Sequence, residues 1–447
     1  MNIAKRIAVV GAGVVGVNTL LRLIDERSPG IHVTWIYDSK IPIFGVGEST
    51  TPDLPSQIGH STTLTNPHLK KYFDATIKYG NKFIGFGTKH NFIRWLDLHS
   101  VGIHFDTRYF TQFFIKYLPE HTLDFELIDE TITHVGFTPD AVHVNNHKFD
   151  FIIDCTGGES LIDQDQYIDS LIQSVNTSLV LKLPQSADWG VTISYAHRNG
   201  WMFGIPLQSR RTFGYNYNSN ITTEEEALKD FRTIIPEALG YPYEKFSWKP
   251  RLSKYVLHSS GRYARNGNAV GFIEPLESLA GHYYDRISDE ICEFALGNSH
   301  NDINTINKVN EWYYDNVVDE WYKNLAWIYH FGSKYDSPFW NSIRTDSRDI
   351  LNSKCINDFI ILNKHQNFTE DLFNIIGDDI HLKRDFMLGR HDYIGNDLNT
   401  FCSNHKDFIE WVYGMGADYA HKFPLLVPPV DLNENWGELS FDSMTIR

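Results

Sequence analysis

The sequence predicts an α/β fold with three parts: a Rossmann-like dinucleotide-binding unit, an antiparallel sheet inserted into it, and a mainly helical C-terminal region. Three observations carry this. A strand, a glycine turn, a helix and a second strand follow one another at the N-terminus. Residues 191–219 read as antiparallel strands. From about residue 285 the apolar period turns helical and stays so. With no Pro/Ser-rich linker and no repeat, the lobes are expected to interleave. We place the dinucleotide-binding unit and its sheet over residues 1–290 and the helical region over 291–447.

Taken in order, residues 5–10 form an apolar run suited to a buried parallel strand. GAGVVG is the turn, VNTLLRLIDER the helix, and HVTWIYD (32–38) the second strand. Gly11, Gly13 and Gly16 make G-x-G-x-x-G. The first permits a tight turn, the second a close approach of backbone to a pyrophosphate, the third a helix packed on its strand. Asp38, 22 residues after Gly16, is placed to accept the ribose hydroxyls of an adenosine half. Residues 44–54 are a Gly/Ser/Thr loop carrying Gly47 and Glu48. Residues 106–118 have helical periodicity, and 123–158 read as strands with a hairpin at Pro139 and Asp140. TEEEALKDFRTII (223–235) opens with acidic residues, as a helix does.

Composition narrows the function. The chain of 447 residues carries 40 basic and 56 acidic residues, net −16, and 42% hydrophobic residues. That excess of negative charge opposes a nucleic-acid partner, which needs a basic face. No apolar run is long enough for a membrane span. The glycines break up the N-terminal apolar run, which therefore does not read as a signal peptide. Cys155, Cys292, Cys355 and Cys402 show neither C-x-x-C spacing nor a disulfide framework, and they point to a reducing, cytoplasmic setting. The 20 histidines form no ligand pattern, so no metal is expected; His282, beside Gly281, is the one to inspect.

The dinucleotide is FAD rather than NAD on one feature. DFIIDCTG (150–157) is a strand ending in a small-residue turn at Asp154, the strand that returns to the same sheet in aromatic hydroxylase-like flavoproteins. No second G-x-G-x-x-G follows, so reduced flavin has to come from elsewhere.

Several segments, in order, resemble the flavin-dependent halogenases of the tryptophan-halogenase family. GVGESTTPDL (45–54) is similar to that family's G-E-x-T-x-P loop. DATIKYGNKFIGF (74–86) resembles the segment bearing its active-site lysine, here Lys78. HFDTRYFTQFF (104–114) and IIDCTG follow. GWMFGIPLQSRRTFGYNY (200–217) resembles G-W-x-W-x-I-P, and GNAVGFIEPLESLAG (267–281) resembles G-N-A…F-I-E-P-L-E-S-T-G. WIYHFGSKYDSPFW (327–340) resembles a C-terminal aromatic stretch. The resemblance covers roughly residues 5 to 340. Within the family, it extends to a viral member from marine cyanophage that accepts iodide.

What the resemblance implies is halogenation of an electron-rich aromatic by hypohalous acid, made from reduced FAD, oxygen and halide, with a separate NAD(P)H-dependent flavin reductase as partner. Lys78 would hold the oxidant. Glu277 would orient it and accept a proton, and Ser278 would assist. Gly267, Asn268 and Pro275 would lie beside the flavin. Trp201, Phe203 and Pro206 would line the pocket. Two departures stand out. Phe203 replaces the second tryptophan of G-W-x-W-x-I-P. Leu279 and Ala280 replace Thr-Gly at the halide, which removes a hydroxyl and favours a larger, less hydrated ion, bromide or iodide, over chloride.

Plainer readings stand beside these. Lys78 lies near Lys70, Lys71 and Lys82, a setting typical of solvated surface charge. Glu277 after Pro275 suits a helix N-terminus. Trp201 and Phe203 suit a core. The aromatics Trp312, Tyr313, Tyr314, Trp321, Trp327 and Trp340 fit a core seam, a substrate wall or a homo-oligomer contact. The alternative functions are an aromatic monooxygenase, which has no need of Lys78 and Glu277, and a non-catalytic FAD-binding protein.

Overall fold

The computed structural model describes residues 6–354, except Gly47, Thr63, 87–89, 96–100, Glu159, 185–188, 298–301, Gly332 and Lys334. Cys355, Cys402 and residues 355–447 of the expected helical region therefore lie outside the described residues, as does Gly47. The chain forms two compact units, and each is built from several separate stretches.

The first unit comprises residues 1–75, 105–170 and 249–321. Its centre is a five-stranded, wholly parallel sheet in the order Tyr263–Arg265, Phe151–Asp154, Arg6–Val10, His32–Tyr37, Phe125–Asp129. This is the Rossmann-like arrangement. Its three middle strands, Phe151–Asp154, Arg6–Val10 and His32–Tyr37, are buried along most of their length and are the largely apolar runs that parallel sheets require. A three-stranded meander, Val135–Thr138, Ala141–Val144 and His147–Phe149, covers one side, and Val142, Val144 and Phe149 join Ala8, Val10, Ile36 and Ile152 in one cluster. The Pro139–Asp140 turn is thus a true hairpin. The helices Val14–Glu26 and Leu279–Leu296 are joined by polar groups: Asn18 Nδ2 donates to Asp285 at 2.6 Å, and the Thr19 and Ser288 hydroxyls meet at 3.1 Å.

The second unit comprises residues 76–104, 171–248 and 322–447. It holds a seven-stranded sheet in the order Tyr243–Ser247, Thr177–Leu183, Arg211–Tyr217, Gly200–Pro206, Val191–His197, Gly80–Phe86, His90–Trp95. All neighbours are antiparallel except Gly80–Phe86 with Val191–His197, which run parallel. Period-two alternation sends Leu179, Leu181, Met202, Phe213 and Tyr215 to one face, where they pack with Ala227 and Phe231 of the helix Glu224–Ile234. That helix starts in a capping box. Thr223 accepts from the Glu226 amide, and Glu226 accepts from the Thr223 amide at 2.9 Å.

The helix Pro338–Lys354 begins at the expected Asp336-Ser337-Pro338 turn. Trp340 fixes it, donating from Nε1 to the His197 carbonyl at 2.8 Å. Helical structure begins earlier than the sequence suggests, at Leu279. The 44–54 segment is not all loop: a short strand spans Glu48–Ser49, and a helix starts at Asp53.

Candidate functional site

In the first unit, the glycine turn follows strand Arg6–Val10. Gly11 has φ +113°, a conformation L side chains rarely adopt, and a Cβ there would lie 2.4 Å from the Cys155 carbonyl oxygen. A Cβ on Gly16 would lie 2.3 Å from the Gly11 oxygen. On Gly13 it would meet nothing within 4 Å. Two of the glycines are therefore required by the fold, and the third leaves an open cradle. Gly13 is also the N-cap of the helix Val14–Glu26, and no side chain caps it. The amides of the first turn and the positive end of the helix dipole face that opening, a donor set suited to a pyrophosphate. These residues fit an FAD.

The turn is braced by side chains that sequence reasoning missed. Trp35 Nε1 donates to the Gly11 carbonyl at 2.9 Å, and the Thr111 hydroxyl donates to the Ala12 carbonyl at 2.7 Å. The Thr107 hydroxyl, one turn before Thr111 on the same helix, donates to Glu48 at 2.5 Å. Asp38 sits just past the end of strand His32–Tyr37, half-buried. It accepts from the Thr131 hydroxyl at 2.5 Å and the Lys40 amide at 2.8 Å. The Thr131 bond, then the Lys40 amide, hold its carboxyl below the usual range.

Asp154 ends strand Phe151–Asp154, fully buried. Its carboxylate accepts from the Thr156 amide at 3.0 Å, the Ser160 hydroxyl at 2.9 Å, the Leu161 amide at 2.8 Å, the Thr156 hydroxyl and the Tyr263 hydroxyl. These bonds use its acceptor capacity, so it shapes the turn after the strand. The G-N-A turn lies against the glycine helix: Gly267 has φ +60°, and a Cβ on it would come 3.2 Å from Val15. Asn268 is exposed, and its Oδ1 accepts from the Tyr284 hydroxyl at 2.9 Å.

Beyond Pro275, Glu277 (φ 58°, ψ 8°) and Ser278 (φ 61°, ψ 23°) are consecutive left-handed residues. Such backbone costs on the order of 1–3 kcal/mol per residue and concentrates at functional sites. Glu277 is buried, and it is Ser278, not Glu277, that stands at the N-cap of the helix Leu279–Leu296, with no side-chain cap bond. Glu277 lies in the first turn of a short 3-10 helix, Leu276–Ser278, that follows Pro275. Leu279 and Ala280 are the first two helical residues; the Leu279 amide donates to the Leu276 carbonyl of the preceding turn. The His282 Nδ1 pairs with Asp53 at 3.0 Å. Asp53 also accepts from the Thr51 hydroxyl at 2.7 Å, which ties the 48–54 segment to this helix.

In the second unit, Lys78 closes the strand Thr76–Lys78 and is fully buried. The surface reading of this lysine stretch fails for Lys82 as well, 7% exposed, whose burial lowers its pKa to about 8. Trp201 is buried, with Nε1 donating to the Tyr329 hydroxyl at 2.9 Å. Phe203 lies over Gly214, directly opposite on the next strand. A Cβ at 214 would meet that ring at 2.2 Å. The Pro206 carbonyl accepts from the Thr76 hydroxyl at 2.7 Å, which joins the Lys78 strand to the end of the Trp201–Phe203 strand. The structure thus gathers Gly11, Gly13, Gly16 and Gly267 with Asp154 at one end of the parallel sheet, and Lys78 with Pro206 in the other unit.

Parallel sheet, glycine cradle and returning Asp154 strand together define an α/β protein with a Rossmann-like FAD-binding fold. The chain belongs to the tryptophan halogenase family, whose profile matches residues 6–124 and 100–375. It is similar to tryptophan 7-halogenase RebH of Lentzea aerocolonigenes, 24% identical over 260 residues, 54% of this chain and 47% of that protein. It also resembles tryptophan 7-halogenase KtzQ of Kutzneria sp., 28% identical over 214 residues, 43% of this chain and 38% of that one. The matches thus span less than half the length of these curated relatives. Among solved structures, Xcc4156, a flavin-dependent halogenase from Xanthomonas campestris, shares the fold with TM-score 0.70 at 17% identity, covering 96% of this chain and 99% of its own. A tryptophan halogenase from Shewanella frigidimarina gives 0.67 at 20% identity, covering 77% and 81%.

Proposed function

We propose that the chain is a flavin-dependent halogenase. It uses reduced FAD, delivered by a separate flavin reductase, with oxygen and a halide to halogenate electron-rich aromatic or heteroaromatic small molecules. The observation that carries this is Lys78. In a chain of this family it is a fully buried ammonium on a rigid strand, where a charged side chain is costly unless it has work to do.

When bound and reduced, the flavin supplies with oxygen the oxidising equivalents that turn halide into hypohalous acid. The chain's own residues do the rest. Gly13 lets backbone approach the cofactor, Gly11, Gly16 and Gly267 shape the turns that present it, Asp38 takes the ribose, and Glu48, Asn268 and Pro275 border it. Asp154 acts by holding its turn. Lys78, with three N–H donors, binds the oxidant. Glu277 accepts the ring proton as the halogenated ring regains aromaticity, and Ser278 holds the Glu277 backbone. The halide is received at Leu279 and Ala280, at the start of the helix Leu279–Leu296. Their apolar side chains favour bromide or iodide over chloride, because a weakly hydrated ion loses less on entry. Trp201, Phe203 and Pro206 form the pocket wall.

The test is incubation with reduced FAD, oxygen, an indole or phenol and each halide, read by product mass. Halogenated product, faster with bromide or iodide than chloride at matched concentration, is expected. Lys78→Ala should bind FAD and make none. Full activity in that variant removes Lys78 from the mechanism, and a hydroxylated product independent of halide would make the protein a monooxygenase.

A further inference from the structure

One buried imidazole in the second unit takes no part in the chemistry just assigned. His104 lies fully buried in the strand Gly102–Phe105, which runs antiparallel to Thr76–Lys78. Thr76 stands opposite His104, and Lys78 opposite Gly102. Directly opposed residues share a face, and so do residues two apart along a strand. Lys78 and His104 therefore project to the same side. Gly102 has no side chain, which leaves the imidazole as the side chain on the diagonal, at about 7–8 Å between backbones.

Proton accounting fixes the ring. The Thr76 hydroxyl spends its one hydrogen on the Pro206 carbonyl at 2.7 Å. In its 3.2 Å contact with His104 Nδ1 it must therefore accept. Nδ1 carries the proton, and Nε2 accepts from the Thr192 hydroxyl at 2.9 Å. Both nitrogens are thus used by a neutral imidazole of a single tautomer. A second proton would oblige Thr192 to turn and would put another cation into a buried site beside Lys78. Burial first, and then the charge of Lys78, hold the His104 pKa well below its usual value. Thr76, Thr192 and Pro206 are uncharged, and Lys78 is the charge acting on the ring.

We propose that His104 is a positioning residue for Lys78. Held as a neutral Nδ1–H imidazole between Thr76 and Thr192, it locks the lysine strand to the large sheet through Pro206 and keeps a second positive charge away from the ammonium. The proposal rests on the reading of Lys78 as the halogenating amine.

Two measurements on the full chain test it. In ¹⁵N imidazole spectra followed from pH 8 down through the His104 titration, the wild-type ring should hold the neutral Nδ1–H form to well below the usual histidine range, and Lys78→Met should move that titration upward. In bromination of an indole, His104→Gln, whose amide keeps a donor and an acceptor, should retain at least about a third of kcat. His104→Phe should lose about tenfold or more, with FAD affinity within about twofold of wild type, as expected for a lost pair of buried hydrogen bonds. A titration unmoved by Lys78→Met, or a Phe variant as active as the Gln variant, overturns the proposal; if the Phe variant does not fold, the spectra decide. Halogenation retained by Lys78→Ala overturns the reading of Lys78, and this proposal with it. Halogenation lost in Lys78→Ala while either His104 result fails overturns the positioning role alone.

Discussion

Gly13→Ala should separate folding from cofactor binding. In the folded chain a methyl group there meets nothing within 4 Å, and Gly13 already has φ −74°, ψ 175°, which alanine adopts freely. Losing the chain entropy of glycine gains about 0.4–1 kcal/mol, and the poorer N-cap costs a similar amount. Apo stability should therefore stay within about 1 kcal/mol of wild type. The methyl group does occupy the side from which a pyrophosphate would approach the backbone. Forfeiting one hydrogen bond to a charged oxygen costs about 1.5–3 kcal/mol, so FAD affinity should fall roughly 10- to 150-fold. Gly16→Ala is the contrast. Its Cβ would lie 2.3 Å from the Gly11 carbonyl oxygen, backbone that cannot yield without moving the turn, so it should lose about 1–3 kcal/mol of stability. Urea unfolding of the apo protein, paired with a flavin fluorescence titration, reads both quantities. A Gly13→Ala protein that binds FAD within threefold of wild type would refute the cradle, as would one that unfolds as readily as Gly16→Ala.

Replacing Glu277 with glycine should raise stability by about 1 kcal/mol by removing a left-handed penalty while halogenation is lost. Calorimetry and product assay together check this trade, and a drop in melting temperature counts against the backbone argument. Gly214→Ala should cost about 1–3 kcal/mol, because its Cβ would meet the Phe203 ring at 2.2 Å, and the shortened Phe203→Leu should partly restore the melting temperature; absence of rescue argues against that contact. Burial raises the Asp53 pKa, but the His282 and Thr51 hydrogen bonds and the His282 charge outweigh it, leaving the net value below normal. A carboxyl depressed in the folded state lends stability above its unfolded value near 3.9, and that stability disappears as pH falls through the folded value. Thermal melts should lose this contribution below about pH 4 in wild type and not in Asp53→Asn; parallel curves would contradict the assignment.

The parts of the fold written in local patterns were legible. Glycine spacing, the apolar strands beside it and the acidic start of the helix Glu224–Ile234 each depend on neighbours within a few residues, and all appear where expected. The environment of the site residues was not legible. The sequence around Lys78 looks like a hydrophilic stretch because Lys70 and Lys71 sit on an outer helix, whereas Lys78 and Lys82 enter strands that are buried. Asp154 reads as a ligand until Tyr263, 109 residues away, closes on it. Thr111 reaches the glycine turn across 99 residues and Thr192 reaches His104 across 88. No periodicity encodes such pairings. Glu277 illustrates a different gap: the E-P-L-E-S segment contains no glycine, so nothing local announces two left-handed residues in succession.

The way the polypeptide weaves between its two units has a practical outcome. The cofactor-side unit draws its last stretch from residues 249–321, and the lysine-bearing unit starts at Thr76. On the ribosome, then, the first unit stays incomplete until most of the chain has emerged, while partners far apart in sequence wait unpaired; such topology folds slowly and aggregates readily when overproduced. No single cut separates the two units. Engineers who wish to move either unit into another protein will have to transplant interior strands, because exchange of termini separates neither unit from the other.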